Sequence, residues 1–216
     1  MSDTATTSPV AGRRLLLGML VVLTIVVVPG ILVPTLMCRP ADPELADLGT
    51  VPPFQLVDER GQVFTEQALR GQVTIVSFLF TRCDTICPVT TMKMAGVQEK
   101  TFDVGSKVKL VSFSVDPAYD TPERLAAYAT RYRADPTRWR FVTGPADTVH
   151  ALVEGPFMTS MLREPDRPNG IPNIAHGGHF LLVGPDLVIR GTYDSGDIHR
   201  LDALMHDARY LARVSL

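Results

Sequence analysis

Phe80-Thr81-Arg82-Cys83-Asp84-Thr85-Ile86-Cys87-Pro88 holds two of the three cysteines of this 216-residue chain, four positions apart. The stretch completes an apolar run, Val73 to Phe80, with the length and β-branched content of a buried strand. From Pro88 to Phe102 the sequence reads as a helix, with Pro88 suited to its first turn. A strand that feeds a cysteine pair and then a helix is the layout of a redox or soft-metal site. A residue before proline is biased away from the right-handed helical region, so the pair is expected in the loop entering the helix. The positive end of a helix macrodipole favours thiolate, and Arg82 adds to it. Such a pair can exchange disulfides through a mixed intermediate. It can equally chelate a soft cation, with Cu(I) the natural choice among biological metals. Three intervening residues select neither chemistry.

Working outward, Phe54–Val57 and Gln62–Phe64 flank Asp58-Glu59-Arg60-Gly61 and read as a hairpin. Thr65–Leu69 reads as one helical turn closed by Gly71. Lys107–Val115 is a second buried strand ending in Asp116-Pro117. Thr121 is the expected N-cap of a helix whose stripe is Leu125, Tyr128, Ala129 and Tyr132. Arg138–Val142 reads as a strand and Ala146–Val153 as a helix. Residues 155–172, rich in proline, glycine and charge, form an exposed excursion. Phe180–Val183 and Leu187–Arg190 flank Gly184-Pro185-Asp186 as a second hairpin. Ile198, Leu201, Leu204, Met205, Ala208 and Leu211 mark a C-terminal amphipathic helix. This order predicts an α/β domain with a mixed sheet, its middle strands parallel and its helices on both faces.

The formal net charge of −2 provides no basic field for nucleic acid. Leu15 to Met37 is an uncharged apolar run long enough, at ~1.5 Å per residue, to cross a ~30 Å hydrocarbon core. It lacks a good signal cleavage site, and Met37 is a poor match for a lipoprotein signal at Cys38. The run is read as an uncleaved anchor, preceded by a cytoplasmic tail at 1–14 and followed by a proline-rich linker at 38–53. The domain then covers 54–216. Arg13 and Arg14 before the span, against Arg39 after it, put the N-terminus in the cytoplasm and the domain on the outer face. Cys38 is read as an interfacial residue.

Ile174-Ala175-His176-Gly177-Gly178-His179-Phe180 leads into the second hairpin. Imidazole suits copper, and two thiolates with one imidazole complete a three-coordinate site. Gly177 and Gly178 would let His176 sit on an adaptable loop. His179 is a weaker candidate at a strand start. Met158 and Met161 are thioethers in the excursion, read as apolar contacts before ligands. Asp116 is either a ligand-orienting carboxylate or an ordinary Asp-Pro turn. His150, His199 and His206 fall on helical patterns and read as surface residues.

Several separated motifs together are more specific than any one. They are Phe80-Thr81-Arg82-Cys83 with Cys87-Pro88, Val111-Ser112-Phe113-Ser114-Val115-Asp116-Pro117, and Asp120-Thr121-Pro122-Glu123. His176 ahead of Leu182-Val183-Gly184-Pro185-Asp186 completes the set. Over roughly residues 50–213 the chain resembles the SCO/SenC family of membrane-anchored copper chaperones. The resemblance implies a thioredoxin-like fold and copper held by Cys83, Cys87 and His176. It also implies a copper-donor protein, with delivery to the copper-bearing subunit of cytochrome c oxidase at its binuclear centre, or reduction of that centre's cysteines. In the latter role Cys83 and Cys87 are the redox pair. Asp84 and Ala175 depart from the family, which often has proline and aspartate there.

Overall fold

The computed structural model describes residues 19–21, 23–28, 42–157, 162–164, 173–175 and 178–214. Most of the expected anchor lies outside these residues, as do Cys38, Met158, Met161 and His176. The chain divides into two units, Met1–Asp42 and Pro43–Leu216. In the first, Leu23–Val27 is π-helical, and Met19, Leu20, Leu23 and Ile25 are exposed. No helix among the described residues is long and apolar enough to cross a membrane.

The second unit opens with the expected hairpin, β1 (Gln55–Asp58) and β2 (Val63–Thr65). Its turn is organised by Asp58, whose Oδ1 accepts from the Arg60 and Gln62 amides at 2.9 Å each. Gly61 supplies the positive φ of 72° that the turn requires. β3 (Val73–Leu79) has all seven residues buried, as its unbroken hydrophobicity requires. Helix α1 (Ile86–Lys100) follows, and a short 3-10 segment leads into β4 (Val108–Ser114). Helix α2 (Pro122–Arg131) is capped by Thr121, whose side chain accepts from the Arg124 amide at 3.4 Å. Next come β5 (Trp139–Thr143) and α3 (Ala146–Glu154). After the short strands β6 (Leu162–Glu164) and β7 (Asn173–Ala175), the chain ends in β8 (His179–Val183), β9 (Ile189–Asp194) and α4 (Ile198–Val214).

The main sheet has seven strands in the order β2-β1-β5-β4-β3-β8-β9. β3, β4 and β5 are parallel neighbours, and antiparallel strands extend the sheet on either side. The parallel register is fixed by a buried polar chain. Ser77 and Ser112 lie opposite each other with their hydroxyls 2.7 Å apart, and the Trp139 indole N–H donates to Ser112 Oγ at 2.9 Å. Alternate residues point the other way, where Phe78 and Phe113 pack with Phe157 at 5.7 and 5.5 Å between ring centroids.

Four expectations need correction. Helix α1 begins at Ile86 rather than Pro88, so Cys87 lies in its first turn. The bias of a pre-proline residue is outweighed because first-turn amides have no helical partner for proline to remove. The excursion is not wholly irregular: β6 and β7 pair antiparallel and Phe157 is buried. In the second hairpin Leu187 belongs to the turn, with φ 69°, and β9 runs on to Asp194. A left-handed leucine is costly, and burial of its side chain (2% exposed) offsets that cost. Ile198, counted in the apolar pattern of the C-terminal amphipathic helix, is exposed at the start of α4.

Within the stretch read as a linker, residues 46–51 run along Leu187–Arg190, the end of the hairpin turn and the start of β9. The Ala46, Leu48 and Val51 amides donate to the Arg190, Ile189 and Leu187 carbonyls at 3.1, 3.0 and 2.9 Å. The Ile189 amide returns a bond to the Gly49 carbonyl at 2.8 Å, and Val51 is buried.

Candidate functional site

β3 delivers the chain to the carboxyl edge of the parallel strands, and Phe80 to Thr85 turn there into α1. Cys83 is held in this turn by its amide, which donates to the Phe80 carbonyl at 3.1 Å. Cys83 and Cys87 are both buried, at 9% and 0% exposure. The difference leaves Cys83 as the more exposed of the two residues.

No side chain caps α1 at Thr85. Instead the Cys87 amide donates to Cys83 Sγ at 3.4 Å, and the Thr85 hydroxyl lies 3.6 Å from the same sulfur. Cys83 therefore supplies an acceptor for the helix N-terminus, and negative charge on it is favoured by the macrodipole. The Cys87 thiol is pushed well above its ordinary range, first by its hydrogen bond to Cys83 and then by burial. One sulfur thus retains its proton while sharing it with the other, unless a cation or a new bond displaces it.

Two carboxylates set the turn's shape. Asp120 is fully buried, accepting from the Thr81 hydroxyl and the Ser114 hydroxyl at 2.5 Å each and from the Thr81 amide at 3.1 Å. Burial raises its carboxyl above the usual range, and these donors partly oppose the shift. Asp116 accepts from Arg82 Nε at 2.6 Å, which lifts the Arg82 guanidinium further. The orienting role considered for Asp116 is thus directed at Arg82, the neighbour of Cys83. Asp120, Ser114 and Thr81 had no role of their own in the sequence reading; the signal for them was their presence in the motifs around Cys83, Asp116 and Thr121.

Cys83 and Cys87 are brought together, as expected. His179 opens β8 as an exposed residue facing Asp194 across the hairpin. Gly178 sits close to α1: a Cβ at that glycine would lie 3.1 Å from Ile86 Cδ1. Among the described residues no three or more His, Cys, Asp or Glu side chains cluster to hold a metal ion. The two sulfurs form a soft, partial donor set that suits Cu(I) and asks for a further ligand.

A cysteine pair at the junction of a parallel strand and its helix, in a mixed sheet flanked by helices, defines a thioredoxin-like α/β domain. The family model for SCO1/SenC matches residues 43–211, and the chain belongs to that family. It is 31% identical over 159 residues to the SCO1 protein homolog of Bacillus subtilis, covering 74% of this chain and 81% of that one. Among solved structures it resembles BsSco, a member of the Sco family of cytochrome c oxidase assembly proteins, for which a disulfide switch has been identified. That match has TM-score 0.70 and 27% identity over 81% of this chain and 99% of the other. Copper-bound ScoI of Bradyrhizobium japonicum shares the fold, with TM-score 0.65 and 23% identity over 76% of this chain and all (100%) of the other.

Proposed function

We propose that this chain is a copper-binding assembly factor that delivers copper to the binuclear copper centre of cytochrome c oxidase. The observation that carries the reading is the pair of buried cysteines joined at the N-terminus of α1 in a member of the SCO1/SenC family. Cys83 and Cys87 would bind as thiolates, each losing its proton to solvent as the metal enters, with the His176 imidazole as third ligand. Few ligands and a soft donor set favour release by stepwise ligand exchange to a partner's sulfurs. The run at 15–37 would anchor the chain, holding the domain from residue 54 onward at the outer face of the membrane.

A second reading is favoured by the unequal burial of the two cysteines. The more exposed Cys83 thiolate would attack a partner disulfide, releasing one partner thiolate and forming a mixed disulfide. Cys87, once deprotonated, would displace the second partner sulfur, leaving a Cys83–Cys87 disulfide and a reduced partner. The disulfide form could not bind copper, so the two activities exclude each other in time.

Titrating the reduced full-length chain in detergent with Cu(I), against a competing chelator, tests the first reading. One Cu(I) per chain is expected, with about tenfold or greater loss of affinity in His176→Ala, comparable to removing a metal-site contact. Unchanged affinity in that variant would remove the imidazole from the site. No uptake by the reduced wild type would leave the thiol–disulfide reading.

A further inference from the structure

Beside the cysteine turn, a cleft of about 230 Å³ opens between Thr81-Arg82 and the outer face of α2. Its character is set by Arg82, Arg124 and Arg131, with Tyr119 in contact with the first two. The Arg82 guanidinium lies 4.5 Å from the Tyr119 ring centroid and that of Arg124 3.8 Å, so the ring contacts two cations. Arg124 is fixed further by its bond from Nη1 to the Tyr119 carbonyl at 2.6 Å. Arg124, Ala127 and Arg131 fall at i, i+3 and i+7, one stripe of α2. The small Ala127 leaves the space between the two arginines open.

The charge of this cleft is not balanced. Asp116 offsets Arg82, but neither Arg124 nor Arg131 makes an ion pair among the described residues. Arg131 in the last turn of α2 complements the helix dipole, whereas Arg124 in the first turn opposes it. A preorganised arginine placed against the local field is suited to a carboxylate from outside, because a guanidinium fork matches that group's two oxygens.

We propose that this cleft docks an acidic polypeptide segment of the protein that receives copper or electrons from Cys83 and Cys87. The proposal rests on the function proposed above. It adds a recognition site that holds the partner one residue from Cys83, where Arg82 joins cleft and turn. A concave site of this size accepts one or two carboxylate side chains better than the flat array of a lipid surface. Opposite charges across the contact would raise the encounter rate and set the partner's register.

The probe is a fluorescein-labelled heptapeptide of glutamate and glycine, with its lysine counterpart as control. It is titrated by anisotropy into the reduced, metal-free full-length chain in detergent. The glutamate peptide is expected to bind and the lysine peptide not to. Affinity should fall about tenfold in the Arg124→Ala/Arg131→Ala double variant, as two exposed ion pairs allow. It should also fall as salt is raised from about 0.05 to about 0.5 M. Arg131→Ala alone keeps every contact of Tyr119 and should weaken binding about threefold, so a folding defect in the double variant does not decide the matter. Equal binding by wild type and Arg131→Ala, or no binding by wild type, overturns the proposal. So does an arginine-dependent interaction seen only with anionic phosphatidylglycerol vesicles. Because the readout needs no copper, failed docking with intact Cu(I) uptake sinks this proposal alone; docking without Cu(I) uptake sinks the metal reading alone.

Discussion

At the scale of single residues, Asp120 holds the cysteine turn in place from beneath. Its carboxylate has no exposed surface and takes donors from both ends of the turn's support, Thr81 after β3 and Ser114 at the end of β4. Asp120→Ala would strand those donors in a buried site and is expected to lower stability by ~3 kcal/mol in urea denaturation. Asp120→Asn should cost less. The pH profile carries a sign that can be checked. Because burial raises the folded carboxyl above its unfolded value, its contribution is full at pH below the unfolded value and is lost as pH rises through the folded one. As pH falls from neutral into the carboxylate range, the wild type should therefore gain stability relative to Asp120→Asn. A difference that stays constant with pH would mean that Asp120 does not titrate differently in the folded state.

At the scale of elements, α1 has its N-terminus tied to a sulfur and its C-terminus to a buried cation. Arg138, 5% exposed, sends Nη1 to the Gln98 carbonyl at 3.0 Å and Nη2 to the Thr101 hydroxyl and carbonyl at 2.8 and 3.2 Å. Its guanidinium thus satisfies carbonyls at the helix end, where a cation is also favoured by the dipole. Arg138→Met is expected to destabilise the domain by ~3 kcal/mol, with Arg138→Lys between it and the wild type. A methionine variant within about 0.5 kcal/mol of wild type would show the bonds to be exchangeable for packing. Neither tether was legible in the sequence, where Arg138 reads as an ordinary strand-edge arginine. Strands β3 and β4 were legible because burial on both faces leaves an unbroken apolar signature. The start of α1 was misread by two residues, since a local rule about Pro88 was weighed without the sulfur that caps the helix. Cys83 and Cys87 stood out by residue type alone. Asp120 and Ser114 did not, because burial of a carboxylate is decided by residues distant in sequence.

At the scale of the whole molecule, the sheet ends very differently on its two sides. On one side β2 is only three residues long, which leaves little backbone for another chain to pair with. On the other, β9 is six residues long, and residues 46–51 occupy backbone groups of its first two residues, Ile189 and Arg190. The segment leading into the domain therefore also acts as a selvedge along the start of that edge, where it occupies the place a neighbouring molecule's strand would take. A chain beginning at residue 52 would lose it and present an open strand as a template for self-association. Such a chain is expected to elute from size exclusion as dimers or larger species, whereas one beginning at residue 43 elutes as a monomer. Identical monomeric elution of the two would show that the covering strand is dispensable. If the expectation holds, proteolysis just after residue 51 would do more than cut the domain from what precedes it: it would turn a solitary protein into a seed.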